Sequence, residues 1–392
     1  MEKEKNLMNY RFDYQLAFLV FLFFCVSCIS IYGALLTSGQ YGTGLGFVYK
    51  QILYYFVGCG IIAGVMFFDS EQIQRLTWYL YGFGLLLLGL LIIAPASIAH
   101  PVNGAKSWFN PSASLTFQPS EFVKTFVIIA ISHVIVKHNT KYQEKTVQSD
   151  LFLLCKIGLT ALVPIGFIMK QPDLGTSMVI IAITTGLILV SGISWKIITT
   201  IFLSITFIVT IIFYLVMKAP ALLEKLGFQL YQFGRITSWL NPEAYSSGEG
   251  YHLLNSMKAI GSGQIYGKGL GKSQVYIPEN HTDFIFSVIG EQFGFLGTSV
   301  VLSLFFLLIY HIIKVAMETT EPFNSYLCAG VISMIVFHVF QNAGMTIGLL
   351  PITGIPLPFI SYGGSAIMGS MLGIGLIFGI RYHHRTYMFS EK

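Results

Sequence analysis

Long apolar runs separated by short polar segments dominate the pattern of this chain. Ten such runs fall at residues 14–36, 48–68, 76–95, 119–136, 151–169, 174–192, 196–217, 283–313, 325–348 and 358–380. A helix that crosses the hydrocarbon core of a membrane needs about 20 predominantly apolar residues. Because the runs are close to this length, the pattern predicts about ten transmembrane helices, which we number as spans 1–10 in chain order.

The composition agrees with this pattern. Of the 392 residues, 54% are hydrophobic and only 10% are charged, whereas soluble domains carry about 25% charged residues. The deficit excludes an ordinary soluble enzyme, a disordered chain and a protein that binds nucleic acid through a basic face. The five cysteines lie in apolar stretches without paired spacing, so we expect no disulfide framework. We predict an all-α, polytopic membrane protein in which residues 1–392 form a single transmembrane domain.

The distribution of Lys and Arg predicts the orientation, since cytoplasmic loops are enriched in both residue types. With the N-terminus cytoplasmic, twelve of them fall in inside segments and two or three in the short outside loops. Both termini are therefore expected in the cytoplasm, and residues 218–282 form one large extracytoplasmic loop between spans 7 and 8. Because this loop is rich in Leu, Phe, Tyr and Trp, we expect short interfacial helices in it and not a floppy tether.

The starts of the even-numbered spans carry most of the candidate chemistry, and in this orientation they face the outer surface. Spans 4, 6 and 8 begin with polar segments that contain Glu121 and Lys124, Asp173, and Asp283, respectively. Each carboxylate has an ordinary explanation, because an acidic residue near a helix N-terminus caps the helix or interacts with its dipole. Ionisable groups at membrane depth are costly, however, and usually line an internal cavity. Together these residues predict a polar, outward-open cavity.

Further residues are candidates for the same cavity. Glu121 and Lys124 share one helical face and are spaced for an ion pair. Glu291 follows Asp283 by eight residues, about two turns into span 8 and on nearly the same helical face. Trp108 is either a cavity residue or a member of the aromatic belt at the membrane surface. Arg235, taken alone, is most simply a solvated residue of the long loop.

Six sequence blocks give a more specific signal. They are Asn103-Gly-Ala-Lys-Ser-Trp108, Phe117-Gln-Pro-Ser-Glu121 with Lys124, Gln171-Pro-Asp-Leu-Gly-Thr-Ser177, Ala259-Ile-Gly-Ser-Gly263, Pro278-Glu-Asn-His-Thr-Asp-Phe284 and Gly348-Leu-Leu-Pro351 through Gly364. In order, spacing and sidedness they resemble the SEDS family (shape, elongation, division and sporulation), over nearly the whole chain. The form of the last block, residues 353–359, resembles the rod-shape branch of that family more than its division branch.

The resemblance implies a glycosyltransferase that polymerises lipid II on the outer face of the cytoplasmic membrane, for cell-wall elongation and rod-shape maintenance. It implies that Asp283 is the essential aspartate in the loop before span 8, and that Glu121, Lys124 and Asp173 are polar residues of the central cavity. It also implies that Trp108 is a functionally important tryptophan of an outer loop. It also implies a class B penicillin-binding protein, which is a transpeptidase, as partner, together with other membrane proteins of the elongation complex.

The expected reaction needs few groups from the protein. A sugar hydroxyl attacks an anomeric carbon that carries a lipid diphosphate, and because the diphosphate leaves without protonation, one general base suffices. Cations must offset the charge of the leaving diphosphate. The candidates are Lys124, Arg235, Lys258, Lys268 and Lys272. A divalent cation such as Mg²⁺ or Mn²⁺ is the one cofactor that we consider.

Two other functions fit a membrane protein of this kind: a transporter that flips the lipid-linked precursor, and a non-catalytic scaffold for a transpeptidase. Transporters usually place their coupling groups near the bilayer midplane. Here the ionisable residues cluster at the outer ends of spans 4, 6 and 8, and only Lys156, in span 5, is left without a role. A polymerase is therefore the main prediction, with a flippase or a division- or sporulation-specific polymerase as alternatives.

Overall fold

The computed structural model describes residues 12–38, 45–95, 97–100, 105–112, 115–218, 234–245 and 248–383. Nine helices in these ranges are long and apolar enough to cross a membrane, which confirms the predicted all-α, multi-pass class. The helices are α1 (Tyr14–Ser38), α2 (Leu45–Met66), α3 (Ser70–Ile93), α4 (Pro119–Lys141), α5 (Val147–Met169), α6 (Leu174–Val190), α7 (Trp195–Lys218), α8 (Gly234–Leu240), α9 (Glu249–Gly263), α10 (Ile285–Glu318), α11 (Pro322–Thr346) and α12 (Gly364–His383). Both termini lie outside the described residues, so their predicted cytoplasmic location stays a prediction.

The helix of span 6 is shorter than the helices of the other nine spans. Its helix, α6, has 17 residues, so at 1.5 Å per residue it covers about 26 Å of a hydrocarbon core that is roughly 30 Å thick. Each of the ten predicted apolar runs nevertheless overlaps one of the helices α1–α7 or α10–α12.

Helices α4 and α12 lie at the centre of the bundle. Of the 18 residues that form the most apolar part of each helix, 78% are buried in α4 and 72% in α12, against 22% in α2 and none in the described part of α7. The backbones of α4 and α12 approach closely at Gly369, where a Cβ atom would lie 2.7 Å from the Glu121 carbonyl oxygen. A glycine is therefore required at this contact, which brings the start of α12 against the start of α4.

The structure differs from the predicted elements in two places. Span 10 was expected from residue 358, but α12 begins at Gly364, because the backbone at Phe359 (φ 64°) and at Gly363 (φ 159°) lies outside the right-handed helical region. The second difference is a short antiparallel hairpin of two strands, β1 (Phe109–Ser112) and β2 (Leu115–Phe117). This hairpin leads directly into α4.

The long predicted outer loop contains ordered helices, as expected. Its described part consists of α8, a 3₁₀ turn at Pro242–Tyr245, and α9. α9 packs against the first turns of α10, where the hydroxyl oxygens of Ser256 and Ser287 are 2.6 Å apart. The loop therefore joins the bundle next to the segment that carries Asp283.

Lys156, the basic residue of span 5, directs its amine toward the C-terminal end of α4. Its Nζ lies 3.3 Å from His138 Nδ1 and 4.2 Å from the centre of the Phe152 ring. A long lysine side chain can place its charge toward the membrane surface while its methylene groups stay in the apolar layer. The position of Lys156 is thus explained without a role in transport.

Candidate active site

A polar cavity of about 430 Å³ lies at the end of the bundle where α4, α6, α10 and α12 begin. Its walls come from the first turns of α4 and α6, the segments that precede α10 and α12, helix α8 and the segment before β1. The predicted polar cavity is therefore present. Of the predicted site residues, it brings together Trp108, Glu121, Lys124, Asp173, Arg235 and Asp283.

Glu291 does not line this cavity, and the expectation that it shares a face with Asp283 is wrong. α10 begins only at Ile285, so Asp283 and Glu291 are not on one continuous helix. The Glu291 side chain is 1% exposed. Its Oε1 accepts hydrogen bonds from Lys268 Nζ at 2.9 Å and from the Gln274 backbone N–H at 2.7 Å. Glu291 thus anchors the glycine-rich turns between α9 and α10.

Two of the predicted cations also lie outside the cavity lining. Lys258, on α9, and Lys272, in the turns that follow it, are exposed and are not among the residues that surround the cavity. Lys268 is paired with Glu291. Among the five candidates, only Lys124 and Arg235 remain as lining cations in the described part of the chain.

Glu121 and Lys124 form a buried ion pair, as their spacing predicted. Lys124 Nζ lies 2.7 Å from Glu121 Oε2 and 3.2 Å from His338 Nε2, and all three side chains are buried. Because a lysine ammonium can only donate, His338 Nε2 accepts and the ring proton lies on Nδ1. That N–H has no hydrogen-bond partner among the described residues. It is a free donor in the lining of the cavity.

Asp173 is the N-cap residue of α6, so the capping explanation is correct for this carboxylate. Its Oδ1 accepts the backbone N–H of Thr176 at 2.9 Å, and its Oδ2 accepts the Thr176 hydroxyl at 2.8 Å. Oδ2 also accepts Gln118 Nε2 at 3.1 Å, which joins the starts of α4 and α6. Asp173 therefore shapes the cavity wall with both of its oxygens already engaged.

Asp283 is in a different state. The N-cap position of α10 belongs to Phe284, whose side chain makes no capping bond, and the Asp283 carboxylate accepts no hydrogen bond from any residue that the structure describes. Burial, aided by the neighbouring charge of Glu279 and opposed by that of Arg235, raises the pKa of Asp283 to about 7. Capping does not explain Asp283, which is a partly buried carboxyl, without a bound donor, in the cavity wall.

Trp108 lies in the cavity lining and is thus more than a residue of the aromatic belt. The segment before it is fixed by Lys106, whose amine donates to the carbonyl of Ile92 at 3.1 Å, at the end of α3. Ser107 adds a bond from its hydroxyl to the carbonyl of Gln171 at 3.3 Å. These contacts hold the indole next to the start of α6.

Sequence reasoning missed several lining residues, chiefly Glu279, His338, Thr353 and Tyr362. Glu279, Thr353 and Tyr362 lie in the sequence blocks quoted above, but only their neighbours were identified as candidates. His338 had only one available signal, which is that a single histidine stands in the apolar run of span 9. Polar residues inside spans usually face an internal cavity.

The lining does not form a preorganised metal site. No group of three or more His, Cys, Asp or Glu residues in the described ranges is placed to hold a metal ion. Glu121 is paired with Lys124 and Asp173 is used in capping. The divalent cation considered from the sequence is therefore not supported by the donor set, and no step below depends on it.

The bundle and its cavity define a multi-pass membrane protein with a polar site of substrate size at one end. The chain belongs to the FTSW_RODA_SPOVE family, described as "Cell cycle protein", which matches residues 14–386. This confirms the resemblance to SEDS proteins that the sequence blocks indicated.

Individual relatives agree with this membership. The chain is 33% identical to the probable peptidoglycan glycosyltransferase FtsW of Bacillus subtilis (strain 168), over 96% of this chain and 92% of that protein. It is 30% identical to the peptidoglycan glycosyltransferase MrdB of Escherichia coli (strain K12), over 91% of each. A solved structure described as "Structural coordination of polymerization and crosslinking by a peptidoglycan synthase complex" contains a chain that matches with a TM-score of 0.77 and 25% identity, over 95% of this chain and 99% of that one.

Proposed function

We propose that this protein is a peptidoglycan glycosyltransferase that polymerises lipid II on the outer face of the cytoplasmic membrane, with Asp283 as its general base. The observation that carries the proposal is the state of Asp283: a cavity-wall carboxyl with no bound donor and a pKa raised to about 7. A base is most effective when its pKa lies near the working pH. The names of the two relatives support the same reaction class.

The proposed chemistry uses Asp283 once in each transfer. Its carboxylate takes the proton from the sugar hydroxyl that attacks, and the new bond forms between that oxygen and the anomeric carbon of the second lipid-linked sugar. The bond from this carbon to the diphosphate breaks, and the electron pair leaves with the diphosphate. A positioned general base contributes about 10²–10⁴ in rate, and no acid is needed for the leaving group.

Charge in the cavity favours Arg235 as the cation near the leaving diphosphate. Arg235 lines the cavity, and its charge acts on Asp283. We propose that a divalent cation, where one is needed, arrives with the diphosphate; EDTA followed by graded Mg²⁺ or Mn²⁺ in a polymerisation assay tests this.

The same proposal assigns a partner and a cellular role. The solved structure with the similar chain is described as a peptidoglycan synthase complex in which polymerization and crosslinking are coordinated. By analogy we propose that this chain works beside a class B penicillin-binding protein, with other elongation-complex membrane proteins, in cell-wall elongation and rod-shape maintenance. The rod-shape form of residues 353–359 supports this role. Depletion should give round cells; filamentous cells would indicate a division role, and a defect confined to spores a sporulation role.

The location of the cavity on the outer face rests on the predicted orientation. A topology reporter fused at residue 250 should therefore read extracytoplasmic, and one fused at residue 142 should read cytoplasmic. These positions lie in α9 and in the α4–α5 connection. Opposite readings would place the cavity on the cytoplasmic face and would rule out the proposed site of reaction.

The activity itself is tested with purified protein and fluorescent lipid II in detergent. The wild type and Glu243→Gln, which changes an exposed carboxylate on the 3₁₀ turn of the same loop, should both produce glycan ladders. Asp283→Asn should be folded and should produce none. Absence of glycan from the wild type, together with movement of lipid II across sealed vesicles, would identify a flippase instead.

A further inference from the structure

The backbone that carries Asp283 is held by an unusual set of contacts. The three consecutive carbonyls of residues 281–283 all accept hydrogen bonds, in chain order from the Tyr362 backbone N–H at 2.9 Å, the Ser361 hydroxyl at 2.7 Å and Asn342 Nδ2 at 2.8 Å. All three donors come from α11 or from the segment before α12. The loop is therefore fixed through its main chain, while the Asp283 side chain is left out of the contacts.

Asn342 contributes most to this arrangement. It lies on α11, is 0% exposed, and its second amide proton goes to the carbonyl of Ile355, also at 2.8 Å. The orientation of the amide is fixed, because a flipped amide would place its oxygen against two carbonyl oxygens. One side chain thus joins the backbone of Asp283 to the backbone of the neighbouring segment around Ile355, which also lines the cavity.

Ser361 provides the second side-chain contact. Its hydroxyl donates to the Thr282 carbonyl and accepts the backbone N–H of Leu357 at 2.8 Å, so its donor and acceptor capacities are both used. The segment is anchored on its other side by Gln51 of α2, whose Nε2 donates to the Ser361 carbonyl at 3.3 Å and to Ser27 of α1 at 2.8 Å. The loop with Asp283 therefore rests on a segment that is itself fixed to the bundle.

We propose that Asn342 and Ser361 are positioning residues, which hold the Asp283 carboxyl at the cavity by fixing its backbone and not its side chain. This inference rests on the proposed function. A carboxylate that is held by donors to its own oxygens loses basicity, because those bonds stabilise the charged form. Contacts to the main chain avoid this conflict: they fix the position of the base in both protonation states and leave both oxygens available to substrate.

The test compares Asn342→Leu with Asn139→Leu in the full-length protein. Leucine has a similar size but no donor. Asn139 is a matched control, because its amide also donates to a backbone carbonyl, that of Ser191 at 3.1 Å, but at the opposite end of the bundle. For each variant we would measure the melting temperature, kcat and KM for lipid II, and the pH dependence of kcat.

Asn342→Leu is expected to lower kcat by about 10–100-fold, since a displacement on the order of 1 Å can cost about 10²-fold. KM should change by less than about threefold, because the substitution removes no contact to the substrate. The pH midpoint of kcat should move below that of the wild type, because a loop released from the wall lets water reach Asp283. Asn139→Leu should lose stability to a similar extent and keep the wild-type midpoint.

An unchanged midpoint in Asn342→Leu, with a kcat loss no larger than that of Asn139→Leu, would show that Asn342 is only structural and would overturn the inference. Ser361→Ala removes the neighbouring contact with a smaller change; it should show the same shift in midpoint, and it decides the question where Asn342→Leu does not fold. The two proposals remain distinguishable. Full activity of Asp283→Asn would refute the role of Asp283 as general base. An inactive Asp283→Asn together with a wild-type pH profile of Asn342→Leu would refute only the positioning role of Asn342.

Discussion

The starts of α6 and α10 look alike in the sequence and differ in the structure. Each has an aspartate just before an apolar run. Asp173 directly precedes its helix, and its oxygens receive three hydrogen bonds, two of them from Thr176. At α10, Phe284 intervenes with φ −104° and ψ 21°, so Asp283 lies one residue too early to cap. One extra non-helical residue thus separates a structural carboxylate from one that is free to react.

A third carboxylate, Glu121, extends this comparison and gives the largest expected effect. Lys124→Leu leaves Glu121 buried without its cation, and losing one partner of a buried pair typically costs about 3–5 kcal/mol. We expect low membrane abundance or a much lower melting temperature, measured after detergent extraction. Lys196→Leu, at an exposed lysine at the start of α7, is the control.

The double variant Glu121→Gln with Lys124→Leu sharpens this prediction. It removes the uncompensated charge, so it should recover much of the stability that Lys124→Leu loses. A double variant that is as unstable as the single one would show that lost packing, and not the unpaired carboxylate, causes the damage.

The second effect concerns the dependence of stability on pH and tests the state of Asp283. Burial raises the folded-state pKa of Asp283 from 3.8 to about 7, so the native state binds the proton more tightly than the unfolded chain. This contribution to stability is fully present below about pH 4 and is lost as the pH rises through about 7. At pH 8 the ionised group then disfavours the native state by roughly 2–4 kcal/mol.

Asp283→Asn should consequently be more stable than the wild type at pH 8 and similar to it near pH 4. The readout is the difference in melting temperature between the two proteins across this pH range. If the difference in melting temperature between the wild type and Asp283→Asn is the same at pH 5 and at pH 8, the raised pKa of Asp283 is contradicted.

The smallest effect tests the cap itself. Asp173→Ala should cost about 0.5–2 kcal/mol of stability, whereas Asp173→Asn should cost a few tenths, because Asn caps a helix about as well as Asp. Thermal unfolding of both variants in detergent measures the difference. Equal losses in the two variants would mean that the backbone cap contributes little, and that the charge of Asp173 or the bonds to its Oδ2, which an Asn amide nitrogen cannot accept, matter to the fold.

The sequence predicted the features that depend on local pattern. The spans follow from apolar runs of membrane length, the Glu121–Lys124 pair from its spacing of three on a helix, and the meeting of polar span starts from their common sidedness. Span 10 was placed too early because its apolar run begins at residue 358, whereas the positive φ angles at Phe359 and Gly363 keep residues 359–363 out of the helix. The short hairpin before α4 has no comparable apolar signal.

Features that depend on contacts between distant segments could not be predicted. Glu291 appeared to share a face with Asp283, but the helix begins between them. His338 and Asn342 are polar residues in the apolar run of α11, and their partners, Lys124 and the backbone of residue 283, are far away in the chain. Only the folded arrangement shows which of the acidic residues near the span starts is a cap, which is paired and which is unbonded.

The central claim is that Asp283, and not Asp173, acts as the base, and the most direct test is the rate of lipid II polymerisation from pH 5 to pH 9. The wild-type rate should rise with pH through a midpoint of about 7, where the Asp283 carboxyl loses its proton. Asp173→Asn should keep this midpoint with a rate within about tenfold of the wild type. Asp283→Asn should lose about 10²–10⁴ in rate above pH 7, with a smaller difference from the wild type at pH 5, where the wild-type carboxyl is protonated. Polymerisation by folded Asp283→Asn within a few-fold of the wild type, with the same midpoint, would contradict the account.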